Sequence, residues 1–224
     1  MNVANEEQAS IKLNTLKAAA ADLFSSIGYH AVSLRDLAKE IKLSPGAIYN
    51  HIDSKQELLF TLTEESLKQR IRLIAQEISS SIQNGSSELD AVVQGFIAHA
   101  SDGRLGIALA IRESSNLSRP QKIEIQRLID IQNSIIAQSL AREFTIKQLA
   151  APLLEEVAKT LTELLDGYFF TARLNFNKNP AFLLAATRAS ATSLLTPFLN
   201  PKKLACPDAY NKASMQKSYG SPER

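Results

Sequence analysis

The sequence predicts an all-α protein, and three observations carry that prediction. Apolar residues recur at spacings of three and four, as in Leu13, Leu16, Ala20, Leu23, Phe24 and Ile27. Capping residues and breakers punctuate the runs: Ser33, Ser44, Ser54 and Ser118 open them, and Gly28, Asn84-Gly85 and Asn177-Lys178-Asn179-Pro180 interrupt them. No stretch convincingly keeps the strict alternation of a half-buried strand.

Nine helices follow from this pattern. The first covers residues 13–27 and stops at Gly28, which suits the positive φ of a C′ position. The second opens at the N-cap Ser33, where Asp36 partly fills the capping-box role, and carries Leu34, Leu37, Ala38 and Ile41. A short third element starts at Ser44 with Pro45 at N1, and its apolar face is Ile48 and Ile52. The fourth opens at Ser54, with Glu57 completing a capping box. Its apolar positions Leu58, Leu62, Leu67, Ile71, Ile74, Ile78 and Ile82 span about seven turns. A helix of that length links two units.

Helices are expected next over 88–101 and 105–116, then from Ser118-Arg119-Pro120 to 144, buried through Ile125, Leu128, Ile129, Ile135, Ile136 and Leu140. The eighth spans 149–174 through Leu153, Val157, Leu161, Leu164, Leu165, Tyr168 and Phe169. The ninth ends near 195, ahead of Pro197. The chain divides into a segment over 10–57, a larger helical body over 58–199, and a tail over 200–224. In the tail periodicity is lost among prolines, small polar residues and Lys202, Lys203, Lys212 and Lys217, which predicts disorder.

Composition bounds the function. Of the 224 residues 45% are hydrophobic and 21% charged, which suits a globular core, and the net charge of +2 lends almost no support to nucleic-acid binding by itself. Cys206 is the only cysteine, so an intramolecular disulfide or cysteine zinc site is excluded. With three histidines (His30, His51, His99), no Gly-rich phosphate loop and no metal-ligand cluster, neither an enzyme nor a cofactor site is expected. Residues 1–10 lack the apolar stretch of a signal peptide, and no run approaches the ~18 apolar residues of a membrane span, so a cytoplasmic location away from membranes is expected.

The second and third elements have the makings of a helix-turn-helix: two short helices and a tight connection, braced by Leu37, Ala38, Ile41, Ile48 and Ile52. The face left over carries Pro45, Gly46, Ala47, Tyr49, Asn50 and His51. Gly46 and Ala47 permit backbone approach to a groove floor, Ala47 suits a thymine methyl, and Asn50 suits a base edge. Tyr49, His51 and Lys55 are donors for phosphates, the helix starts at Ser33 and Ser54 point free N–H groups outward, and Arg35, Lys39 and Lys42 flank the face. Between residues 10 and 56 the excess of positive charge is only two.

Residues 16–59, LKAAADLFSSIGYHAVSLRDLAKEIKLSPGAIYNHIDSKQELL, resemble the DNA-binding domain of the TetR family of transcriptional regulators. The resemblance rests on the LF…GY end of the first helix, the S-L-R-D-L-A second helix, and L-S-P-G-A-I-Y-N-H-I-D-S-K. It covers about a fifth of the chain, while the nine-helix layout is similar to the family throughout. It implies a TetR-like fold in which Ser33, Tyr49, His51 and Lys55 hold phosphates and Ser44, Pro45, Gly46, Ala47 and Asn50 face the groove. Pro45 departs from the lysine many members carry, and Ile52 from the usual phenylalanine.

The same resemblance implies a homodimer on a palindromic double-stranded operator, built by the last two helices. Leu161, Leu164, Leu165 and Tyr168 make a bulky face there, and Ala185, Ala189 and Ser193 a smooth one. It also implies a small-molecule effector among the middle helices. The abundant Ile, Leu and Phe there suit an apolar ligand and equally a plain core, and the polar residues His99, Arg112, Asn116, Asn133 and Tyr168, at half-buried positions, are candidate contacts or interhelical structural groups. Arg112 and Glu113 equally suit pairs that hold the bundle. The family leans to repression relieved by ligand; the residues leave repressor and activator open.

Overall fold

The computed structural model describes residues 3–44, 46–101, 113–146, 151–171 and 179–199. They form seven α-helices: α1 (Val3–Ser26), α2 (Leu34–Glu40), α3 (Lys55–Asn84), α4 (Glu88–Ser101), α5 (Arg119–Glu143), α6 (Ala151–Thr171) and α7 (Pro180–Leu199). Short 3-10 turns lie at Ala47–Asn50 and Ser114–Asn116, and there is no strand among the described residues. Nine helices are therefore not reached there. The third expected element is a 3-10 turn, and most of the helix expected over 105–116, like the tail over 200–224, lies outside the described residues.

Local chemistry accounts for most helix ends. Ser33 and Asp36 form a complete capping box at α2, and Ser118 and Gln121 another at α5. Ser54 accepts from Glu57 N at 3.0 Å, but the expected box at α3 is not closed, because the Glu57 carboxylate instead accepts from Gln121 Nε2 of α5 at 2.9 Å. Gly28 (φ 94°) and Gly85 (φ 65°) take the left-handed conformation that ends a helix. Lys42 takes it without being glycine (φ 57°): Leu43 N donates to Ala38 O at 2.8 Å and Lys42 N to Lys39 O at 3.1 Å, closing a Schellman motif after α2.

Four expectations shift. Helix α1 begins at Val3, about three turns before Leu13, since the glutamate-, glutamine- and alanine-rich start favours helix and its acids suit the N-terminal dipole. Ile27 and Ile82 are exposed, lying in the turn after α1 and in the last turn of α3. Helix α7 continues through Pro197 to Leu199, forgoing the ladder bond that the proline cannot donate.

Two apolar cores result. The first joins Leu16, Ala20 and Phe24 of α1, Leu37 and Ala38 of α2, and Ile48 to Leu58, Leu59 and Leu62 of α3. It also takes in Leu117, Ile125 and Leu128, so it reaches beyond the 10–57 segment into α5. The second lies among α3–α7, around Ile74, Val92, Phe96, Ile136, Leu161, Leu165 and Leu195. Each fully buried Leu, Ile or Phe contributes about 1.5–3 kcal/mol. Helices α3 and α4 meet backbone to backbone at Gly95, where a Cβ would stand 2.7 Å from Ile74 Cα. No described helix is long and apolar enough to cross a membrane.

Candidate nucleic-acid interface

Helix α2 is short, and its geometry is set at both ends, by the capping box and by the Schellman turn at Lys42. Leu37 and Ala38 face inward, and the following turn docks on them through Ile48 and Ile52, all four buried. Ser44 caps that turn, accepting from Ala47 N at its carbonyl (3.0 Å) and its hydroxyl (3.3 Å). With Ile48 anchored, Ser44, Gly46, Tyr49 and Asn50 are left exposed, while Ala47 and His51 are half-buried. Tyr49 is 60% exposed, which places a large aromatic in solvent with no packing role that would require it. Gly46 has φ −75° and nothing within 4 Å of a built Cβ, so neither conformation nor internal packing demands glycine there. Pro45 lies outside the described residues.

The flanking donors are arranged less openly than their positions predict. The Ser33 hydroxyl donates to Asp36 Oδ2 at 2.6 Å, and Ser33 N donates to the same oxygen at 2.8 Å. Those two donations hold the Asp36 carboxyl below its ordinary range, so the start of α2 already carries an anion of its own. Lys55 turns inward: its Nζ donates to Tyr29 O at 2.9 Å and Val32 O at 2.8 Å and stands 4.2 Å from the centre of the Tyr29 ring. Two of its three donors thus tie the loop between α1 and α2 to α3. Burial, with Glu113 nearby, pushes the Tyr29 phenol up. Arg35, Lys39 and Lys42 are exposed. A hollow of about 250 Å³ between α1, the turn and α3 is lined by Lys17, Tyr49, Asn50, His51, Asp53 and Glu57 among others. Its two carboxylates make it a poor seat for phosphate, which leaves the outer face as the side open to an anion.

In the body, the candidate ligand contacts do not form one cluster. His99 is buried with Nε2 3.0 Å from Ser66 Oγ, and Asn133 is buried, accepting from Thr162 Oγ1 at 3.0 Å. Asn116 sits apart: its Nδ2 donates to Glu113 at 3.0 Å and its carbonyl accepts from Gln56 Nε2 at the start of α3. Tyr168 is half-buried, its hydroxyl accepting from Asn179 N at 3.2 Å. Arg112 lies outside the described residues. Linked to Asn133 through Thr162 and Gln132, the structure places two further residues, Arg70 and Asp166, so that Arg70, Gln132 and Asp166 are all absent from the expected set. Arg70 Nε donates to Gln132 Oε1 at 2.7 Å and Nη1 to Asp166 Oδ1. A signal was present, since Arg70 interrupts the apolar stripe of Leu67, Ile74 and Ile78.

The expected pairing face also narrows. Leu161 and Leu165 are buried inside the subunit's own core, because α6 packs on α5 along that side, and so are not on its surface. Leu164 remains exposed on α6, as do Phe182, Ala185, Ala189 and Ser193 on α7. Among the described residues no group of three or more His, Cys, Asp or Glu could hold a metal ion.

Residues 16–62 match the family model of bacterial regulatory proteins, tetR family. Among solved structures, the chain is similar to a bacterial regulatory protein in the tetR family from Rhodococcus RHA1, at 18% identity over 82% of this chain and 96% of that one, TM-score 0.68. It is also similar to AibR, solved in complex with isovaleryl coenzyme A and operator DNA (14% identity, 81% and 97% covered, TM-score 0.61). A third is the fatty acid degradation regulator FadR from Bacillus halodurans (18% identity, 82% and 94% covered, TM-score 0.60). These likenesses establish a shared fold.

Proposed function

From a tetR-type segment over 16–62 set on a tetR-like helical body, we propose that the chain is a ligand-responsive transcriptional regulator, acting as a repressor. It binds a palindromic operator as a homodimer and is released by a small, largely apolar effector held among α3–α6. The observation that carries the reading is the turn after α2. Ile48 and Ile52 fix it to the core and Ser44 caps it, while Gly46, Tyr49 and Asn50 stand outward, exposed to solvent. That is the form of an element that enters a major groove, Gly46 letting backbone approach and Asn50 reading a base edge.

Phosphate contacts fall to Tyr49, His51, Arg35, Lys39 and Lys42, with Lys55 adding the one donor its internal bonds leave over, while both donors of Ser33 are already taken by Asp36. Pairing through Leu164, Phe182, Ala185, Ala189 and Ser193 would set two such turns about one DNA turn apart. The fold accommodates both ligands, since AibR holds an acyl coenzyme A together with operator DNA. Repression suits a head that an effector releases, though the same geometry serves an activator.

Fluorescence anisotropy on DNA fragments flanking the chain's own gene tests this. Tyr49→Ala and Asn50→Ala, both at exposed positions, should each lower affinity about tenfold or more while leaving helicity and Tm unchanged. With few free cations per subunit, the slope of log K against log salt should be about −5 or shallower. Undiminished binding by both variants, or a slope near −10, would overturn the assignment.

A further inference from the structure

The body contains a buried charge that stability does not explain. Arg70 of α3 is 2% exposed, its guanidinium 4.6 Å from the centre of the Phe96 ring of α4. Its compensating carboxylate, Asp166, comes from α6, and Gln132 of α5 supplies a neutral acceptor at 2.7 Å. Buried ion pairs are often replaceable by apolar residues with no loss or a gain in stability, so such a pair in an aliphatic core calls for another role.

The two partners are unequal. The Asp166 side chain is 19% exposed, so it stands between Arg70 and the outside. Burial pushes its carboxyl up from its ordinary value, Arg70 offsets this only in part, and Glu163 one turn earlier adds repulsion. Asp166 is therefore held as an anion at a cost. Arg70 has no comparable freedom, because a guanidinium stays charged and must keep an anionic partner. Gln132 Nε2 and Thr162 Oγ1, 3.4 Å apart, continue the polar line toward Asn133.

We propose that Arg70 is the anion-binding group of the effector site and Asp166 its built-in stand-in: an effector carboxylate exchanges with Asp166 on Arg70 and uncouples α6 from α3. This rests on the ligand-responsive reading above and names its ligand class, a monocarboxylate whose remainder is apolar. The Phe96 ring faces the guanidinium and belongs to the same apolar core as Ile74 and Ile136, so the remainder of such a ligand would meet apolar side chains, and no second cation faces Arg70 among the contacts described.

Octanoate and 1-octanol, matched in chain length, are the probes, titrated by calorimetry into the full chain. Wild type should bind octanoate more tightly than octanol. Asp166→Asn, which removes the internal competitor, should bind octanoate at least tenfold more tightly than wild type and gain more in Tm from it. The doubly neutral Arg70→Gln/Asp166→Asn should bind octanoate no better than octanol. Octanol should differ by less than threefold across all three. An Asp166→Asn chain whose octanoate affinity rises less than threefold, or which octanoate fails to fold if it is unfolded alone, overturns the proposal; so does a double variant that keeps the tighter binding. The DNA fragments above report separately. DNA binding without the octanoate pattern sinks only the anion site, and the octanoate pattern without DNA binding sinks only the regulator.

Discussion

The head and the body treat their polar side chains in opposite ways. In the head, polar groups are bonded close by in sequence: Ser33 to Asp36, Ser44 to Ala47, Ser54 to Glu57. Each such bond shapes a helix end and leaves the outward face clear. In the body, polar groups reach across the chain, Arg70 to Gln132 and Asp166, and Gln132 to Thr162. Local bonding makes a rigid presenting surface, whereas long-range bonding makes a junction between helices whose separation is conditional on charge. A surface that reads DNA needs the first, and a site that senses a ligand needs the second.

The largest test of this contrast strikes the body. Asp166→Leu alone leaves Arg70 buried without its carboxylate and should cost about 3–5 kcal/mol in urea unfolding. Arg70→Met combined with Asp166→Leu should recover most of that loss. A double variant no more stable than the single one would mean that the junction is structural.

A smaller effect is expected at Lys55, which with Gln56 and Glu57 departs from the local pattern of the head at the start of α3, its two acceptors lying 26 and 23 residues away. Lys55→Met should lower stability by about 1–3 kcal/mol by freeing the Tyr29 and Val32 carbonyls. Its Tm and its DNA affinity should fall together, whereas Tyr49→Ala loses affinity alone. Lys55→Met with an unchanged Tm would place that lysine with the surface donors instead.

The smallest effect is at Asp36. Its folded-state pKa lies below the ordinary value of 3.8, so its stabilisation is complete above that value and disappears as pH falls through the folded one. Asp36→Asn should therefore melt below wild type at pH 7, with the gap in Tm closing toward pH 3. A gap that persists into acid would assign the effect to the side-chain shape rather than its charge.

The same contrast governs how much could be read in advance. The turn after α2 was legible because its determinants, Ser33, Leu37, Ala38, Gly46 and Ile48, are close together in sequence and obey helix spacing. So were the bounds of α4 and α5, which end on capping residues or breakers. The inward turn of Lys55 was not legible, because carbonyl acceptors in a loop leave no mark in residue types. Nor was the Arg70 junction, whose partners lie 62 and 96 residues away and singly read as solvated helix positions. Leu161 and Leu165 were assigned to a partner face because an apolar stripe does not say which neighbour covers it.

Gly95 adds a mechanical dimension. At Gly95 the α4 backbone is pressed on Ile74 with no side chain of its own between them to deform, so that point would serve as a stiff fulcrum for α3 on α4. Ile74 lies about 28 Å along α3 from Lys55, at 1.5 Å of rise per residue. A tilt of about 5° at that fulcrum would carry the start of α3, and the loop Lys55 grips, by roughly 2.5 Å. Displacements smaller than one bond length around Arg70, close to the fulcrum, would thus arrive magnified at the surface proposed to meet DNA.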